Sequence, residues 1–343
     1  MMDVYAPMEQ RMTLSQVADH ARRAEALGYD GLNVPDALHD GLLVAHEALR
    51  ATTRLRVATS VLIVFPRSPM VVAVAAWDLQ SVSRGRFELG LGTQVRGNIV
   101  GRYSTPWTSP VPRMREYVQS LRAIFASFQH GVPLRYEGEH YQFTKLQPFF
   151  NPGPIEHPDI PIFLGAVGPV MTALAGEVAD GHMSHPTHSA PRVLKELAIP
   201  ALERGAQRAG RKALDLSRMV AGMVSTGRDA AEVARQREKN RELLGFLYST
   251  PAYWPALEIH GWGEIGERLH RMTREGKWGE MSGLIDDELL ETMIPSGTYD
   301  EIADRLLERN RGLATHVTFP MPDDPAEDPR AAEVIAALRS ARK

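Results

Sequence analysis

The sequence has no cysteine. Disulfides, thiolate nucleophiles and cysteine-type zinc sites are therefore excluded. An excess of either charge is also missing: 39 Lys and Arg face 42 Asp and Glu, a net of −3. That balance gives no electrostatic reason to expect nucleic acid or an anionic membrane as a partner. Long apolar runs are absent too. The richest, residues 71–77 (VVAVAAW), is far short of a membrane span. The opening MMDVYAPMEQRM carries no signal-peptide core. A cytoplasmic protein is the expectation, and neither an internal repeat nor a disordered linker interrupts the chain.

Motifs are missing as well. No Gly-Lys-Ser/Thr follows the glycine turn at 165–169, so it is not a Walker loop, and it does not match G-x-G-x-x-G. There is no G-x-S-x-G elbow for a serine hydrolase. His182, His185 and His188 have neither the spacing of H-E-x-x-H nor a Glu at ligand distance in sequence, so no metal is expected.

What the sequence does contain is alternation. Short apolar runs at 2–6, 32–34, 55–64, 87–91, 162–164, 182–185, 216–225 and 316–319 read as strands. Between them lie helical patterns at 14–27, 43–52, 70–83, 111–128, 170–179, 191–209, 229–246 and 299–311, with a last helix at 331–342. Thr13 with Gln16, and Thr298 with Glu301, have capping-box spacing. Eight strands alternating with helices predict an α/β fold, a (β/α)8 TIM barrel, with a doubly wound open sheet as the alternative. The rhythm fails after the fourth and seventh helices. Residues about 130–160 are dense in Gly and Pro, with a small hairpin expected around Glu137-Gly138. Residues 247–295 are rich in Tyr and Trp. Both read as insertions in one domain spanning 1–343. The aromatics of the second are either its packing cluster or a substrate wall.

In a barrel the chemistry sits on the loops that follow the strands. This gathers Asp36 and His39, then Thr59, Ser60 and Arg67, then Thr93, Gln94, Arg96 and Asn98, then Gly165, Ala166, Val167, Gly168 and Pro169, then the three histidines. Each has a plainer role available: Asp36 as a helix cap, His39 as a loop residue, Thr59 and Ser60 as small core fillers, Asn98 as a turn former. The 165–169 turn opens a helix with a proline at its first position, and a helix N-terminus flanked by small residues suits a phosphate. From the residues alone the reading is a barrel enzyme for a phosphorylated ligand.

Four segments together resemble the luciferase-like monooxygenase superfamily, in particular its branch that uses the deazaflavin coenzyme F420. They are GYDGLNVPDALHDG at 28–41, LRVATSVLIVFPRSP at 55–69, GRFELGLGTQVRGN at 85–98 and FLGAVGPVMTALAGEVADGHMSHP at 163–186. The resemblance implies a non-prolyl cis peptide at Ser60-Val61, behind the middle ring of the coenzyme. It implies Asp36 near the ring edge, Thr93, Gln94 and Asn98 along the ring and ribityl chain, and the 165–169 turn on the phosphate. Thr59 joins this cofactor set. It further implies hydride transfer to or from a small organic substrate. FMN with oxygen is the alternative, and a non-catalytic coenzyme-binding protein is the alternative of another class. Dimers are common in the family, so a homodimer is compatible. Two departures stand out: Ala37 where a related sugar-phosphate dehydrogenase has His, and Val95 where it has a catalytic Glu. The acid or base must then come from elsewhere, and His39 and His185 are the candidates.

Overall fold

The computed structural model describes residues 2–9 and 11–340. Eight parallel strands close into a barrel: β1 Asp3–Pro7, β2 Gly31–Val34, β3 Arg56–Thr59, β4 Phe87–Gly92, β5 Ile162–Gly165, β6 Gly181–Ser184, β7 Ser217–Val220 and β8 His316–Thr318. Each pairs with the next, and β8 pairs back with β1 through Asp3 opposite His316. The expected (β/α)8 architecture is therefore the observed one, and the open-sheet alternative falls because no edge is left.

Local signals set most helices. The Leu14–Leu27 helix starts at the Thr13–Gln16 capping box and ends at Gly28 in the left-handed region, φ 89°. The Tyr299–Asn310 helix starts at the Thr298–Glu301 box. Asp40 accepts from the amide of Leu42, so the second helix begins at Gly41 rather than 43. The outer core lies between strands and helices, with Leu32, Leu89, Trp77 and Phe128 almost fully buried.

Five further expectations need correction. The third strand is not continuous over 55–64: it stops at Thr59, passes a cis Ser60-Val61 peptide, and resumes at Leu62–Ile63. The exit from β4 is not all loop, because residues Arg96–Gly101 form a short helix anchored by buried Ile99. The seventh strand ends at Val220. The next residues leave the barrel, and Ser225–Gly227 pairs instead with Ser296–Thr298. The small hairpin pairs Tyr136–Glu137 with Gln142–Phe143. Its turn falls later than expected, because the Glu116 carboxylate accepts the amides of Glu139, His140 and Tyr141. The sixth helix is broken by a π turn at Leu194–Ala198, where Pro200 cannot donate to the preceding turn. The final helix runs Asp328–Ser340, and its expected end at 342 lies outside the described residues. Residues of the second insertion, with Ala190 and Val193, form their own apolar cluster around Tyr248, Leu257 and Leu289.

Candidate active site

The barrel interior is filled, which confines any ligand to the upper rim. Tyr5, Ala58, Phe163, Met183 and Met219 pack together inside it, and Val61 sits against them. On the same inward face, the Tyr5 hydroxyl donates to Glu88 at 2.9 Å, and Arg56 pairs with Asp3 at 2.7 Å. Burial pushes the Glu88 carboxyl up, against the opposing pull of Arg56.

The cis Ser60-Val61 peptide turns the Val61 side chain toward the ends of β4 and β5. Both strands are bare there. A Cβ on Gly92 would lie 2.3 Å from Val61 Cγ2, and one on Gly165 2.8 Å from Val61 Cγ1. Only glycine leaves room for the valine at these two positions. Val61 therefore stands as a partly exposed apolar boss between two strand ends that carry no side chains.

Charged groups hold one side of the rim. Asp36 Oδ1 accepts from Gly41 N at 3.1 Å, and Oδ2 from Ile63 N at 2.9 Å and Arg67 Nη1 at 2.9 Å. Arg67 Nη2 also reaches Asp40 at 3.0 Å. The Asp36 side chain is only 5% exposed, so this ion pair ties the β2 loop to the β3 exit. Thr59 is fully buried, and its hydroxyl clips β4 by donating to Gly90 O at 2.8 Å. Gln94 has φ 59°, and its own Oε1 accepts from Val95 N at 2.8 Å, which steadies that backbone. Arg102 donates to Ala37 O at 2.7 Å and so links the β4 and β2 loops. Half-buried Ser60, Thr93, Asn98 and His39 make no side-chain hydrogen bond among the described residues.

After β5, Gly168 caps the Pro169–Val178 helix, and a Cβ there would meet nothing within 4 Å. Pro169 has no N–H, and the amides ahead of Thr172 have no intrahelical acceptor. The turn is pinned from behind. His182 Nε2 donates to Ala166 O at 3.0 Å, so this buried histidine carries its proton on Nε2. Burial lowers its pKa.

The β6 side is neutral and aromatic. His185 Nδ1 lies 2.8 Å from Thr187 Oγ1 and also accepts from Thr187 N at 3.3 Å. Thr187 Oγ1 in turn lies 2.9 Å from His188 Nδ1. Tyr253, from the second insertion, stacks on His185 at 4.3 Å and 14°. Tyr248 donates to Thr187 O at 3.0 Å. Burial pushes His185 down to about 4 and His188 to about 3. The three histidines do not converge, and no group of three or more His, Asp or Glu among the described residues is placed to hold a metal ion. Thr187 carries no signal in the sequence as a site residue, whereas Tyr248 and Tyr253 belong to the aromatic stretch 247–295 expected as a packing cluster or a substrate wall.

The barrel is closed and its interior filled, and the strand ends carry the Val61 boss and the start of the Pro169–Val178 helix. The profile of the luciferase-like monooxygenase family matches residues 2–316, and the chain belongs to that family. It is an oxidoreductase. An uncharacterized protein of Mycobacterium tuberculosis is 44% identical over 306 residues, 89% of each chain. The 5,10-methylenetetrahydromethanopterin reductase of Archaeoglobus fulgidus is 28% identical over 317 residues, again 89% of each. The fold matches the coenzyme F420 dependent tetrahydromethanopterin reductase from Methanopyrus kandleri with a TM-score of 0.81 at 21% identity, over 100% of this chain and 99% of that one. No helix among the described residues is long and apolar enough to cross a membrane.

Proposed function

We propose that the chain is a single-domain, cytoplasmic, F420-dependent oxidoreductase that moves a hydride between the deazaflavin coenzyme and a small organic substrate. The observation that carries this reading is the partly exposed Val61 between bare Gly92 and Gly165, on the same rim as a helix start without a side-chain cap. A flat tricyclic ring would lie on an apolar boss flanked by these two glycines. A phosphate fits the free amides and the positive end of the helix dipole. When bound, the coenzyme supplies the hydride-carrying carbon. Ser60 and Val61 would support its ring, and Thr93, Gln94 and Asn98 would lie along it. Gly165, Ala166, Val167, Gly168 and Pro169 would hold the phosphate. Asp36 would act from behind by fixing the loop, since both of its oxygens are held. Thr59, sealed inside β3, stays out of this contact set. His39, half-buried and without a side-chain hydrogen bond among the described residues, would be the group that exchanges a proton with the substrate.

The alternative, FMN with oxygen, draws on the monooxygenases that give the family its name. One titration separates the two. Purified protein should quench F420 fluorescence at micromolar concentration or below and bind FMN at least tenfold more weakly. Binding of neither would overturn the reading. Gly168→Asp sharpens the test, because its side chain enters open space and leaves the fold intact. It should weaken F420 at least tenfold through charge repulsion.

A further inference from the structure

We infer that His185 serves this reaction as a fixed neutral hydrogen-bond donor through Nε2–H, held in that tautomer by Thr187 and His188 and in its plane by Tyr253. The inference rests on the functional reading above and replaces the expectation that His185 is a proton-transferring acid or base.

The tautomer follows from the donors present. Thr187 N–H points at His185 Nδ1 at 3.3 Å, and an amide only donates, so Nδ1 carries a lone pair. The Thr187 hydroxyl, 2.8 Å from the same atom, must then donate to it as well. That leaves its oxygen to accept from His188 Nδ1–H at 2.9 Å. One proton order satisfies all three contacts, and it puts the His185 proton on Nε2. Nε2 has no partner among the described residues, and it is not among the sealed polar atoms.

The same chain prevents His185 from passing protons. To release the Nε2 proton, Nδ1 would have to take the Thr187 proton, and Thr187 that of His188. His188 would become an imidazolate whose Nε2 is buried without a partner. To accept a proton, the ring would have to break the Thr187 contacts and charge while buried. The titratable rings facing it are His188 and Tyr253, and Tyr248 closes the far side of Thr187. Burial alone accounts for the lowering of the His185 pKa. Such a donor suits a substrate with an acceptor oxygen, a carbonyl or hydroxyl, at the reacting carbon. It disfavours a protonated amine there.

The test begins on the full chain without coenzyme, labelled with 15N-histidine and assigned with His185→Gln. Long-range 1H–15N spectra should show His185 protonated on Nε2 and not titrating between about pH 5.5 and 8. Thr187→Val should release it into a titrating mixture of tautomers, and Thr187→Ser should restore the lock. In turnover, His185→Gln, which keeps an N–H donor, should stay within about tenfold of wild type. His185→Phe should lose about a hundredfold in kcat. An Nδ1–H tautomer, titration of the wild-type ring in that range, or a Gln variant as inactive as the Phe variant would overturn the inference. The spectra need no coenzyme, so a correct tautomer in a protein that binds neither F420 nor FMN counts against the functional reading while supporting the lock.

Discussion

The two halves of the rim solve the same problem with opposite chemistry. On the β2–β3 side, position is fixed by charge: Asp36, Arg67 and Asp40 lock two loops together over the end of the barrel. On the β6 side it is fixed by neutral groups: His185 on Thr187, His188 behind it, and Tyr253 stacked over the top. The charged half stands beside bare glycines and Val61. The neutral half is built partly from residues 247–295, through Tyr248 and Tyr253. The difference shows that rigidity at a rim comes either from a satisfied buried ion pair or from a saturated neutral network, and that the two fail differently.

Arg67→Ala should produce the largest effect. It leaves the Asp36 carboxylate buried with only amide partners, at a cost of about 3–5 kcal/mol in urea unfolding. The matching cut across the rim, Tyr253→Ala, should cost only about 1 kcal/mol beyond lost area, because it removes a neutral stack. Equal losses would break the comparison. Next in size is Gly92→Ala, whose added methyl would meet Val61 and should cost about 1–3 kcal/mol. Val61→Ala in the same chain should recover most of it, which double-mutant unfolding would measure.

The pH response should sharpen the contrast further. His185 and His188 have folded pKa values depressed to about 4 and about 3. The unfolded chain therefore binds more protons below about pH 6.5, so their contribution is complete above that pH and falls as acid is added. A loss on the order of 1 kcal/mol per buried ring is expected between about pH 7 and pH 5. His20 and His316, also lowered to about 4 by burial, add to the same slope. His188→Gln should flatten it in urea melts at the two pH values. Smallest is the stability effect of Gly168→Asp. A carboxylate at a helix start should hold stability level or raise it by about 0.5 kcal/mol, while coenzyme affinity drops.

Much of this was legible because it is local. The capping boxes at Thr13 and Thr298, the Gly28 helix end and the eight apolar runs depend on residues a few positions apart. The helix start at Gly168–Pro169 is local too. The break in β3 was not legible from its hydrophobic pattern, which runs smoothly from 55 to 64; the family resemblance, and not the residues themselves, pointed to Ser60-Val61. The early end of the seventh strand depends on a partner, Ser296–Thr298, far along the chain.

By itself, the sequence determined the barrel and the places of its rim loops, because periodicity and caps are properties of neighbours. Tertiary structure decided which partners each rim residue has. Asp36 reads as a ligand contact or a cap until Gly41 closes on one of its oxygens and Ile63 and Arg67 on the other. His185 reads as an acid or base from the sequence, and the fold places Thr187 on its Nδ1 and Tyr253 on its face. Hydrogen-bond partners and burial determine protonation, and both are set by segments that meet only when the barrel closes.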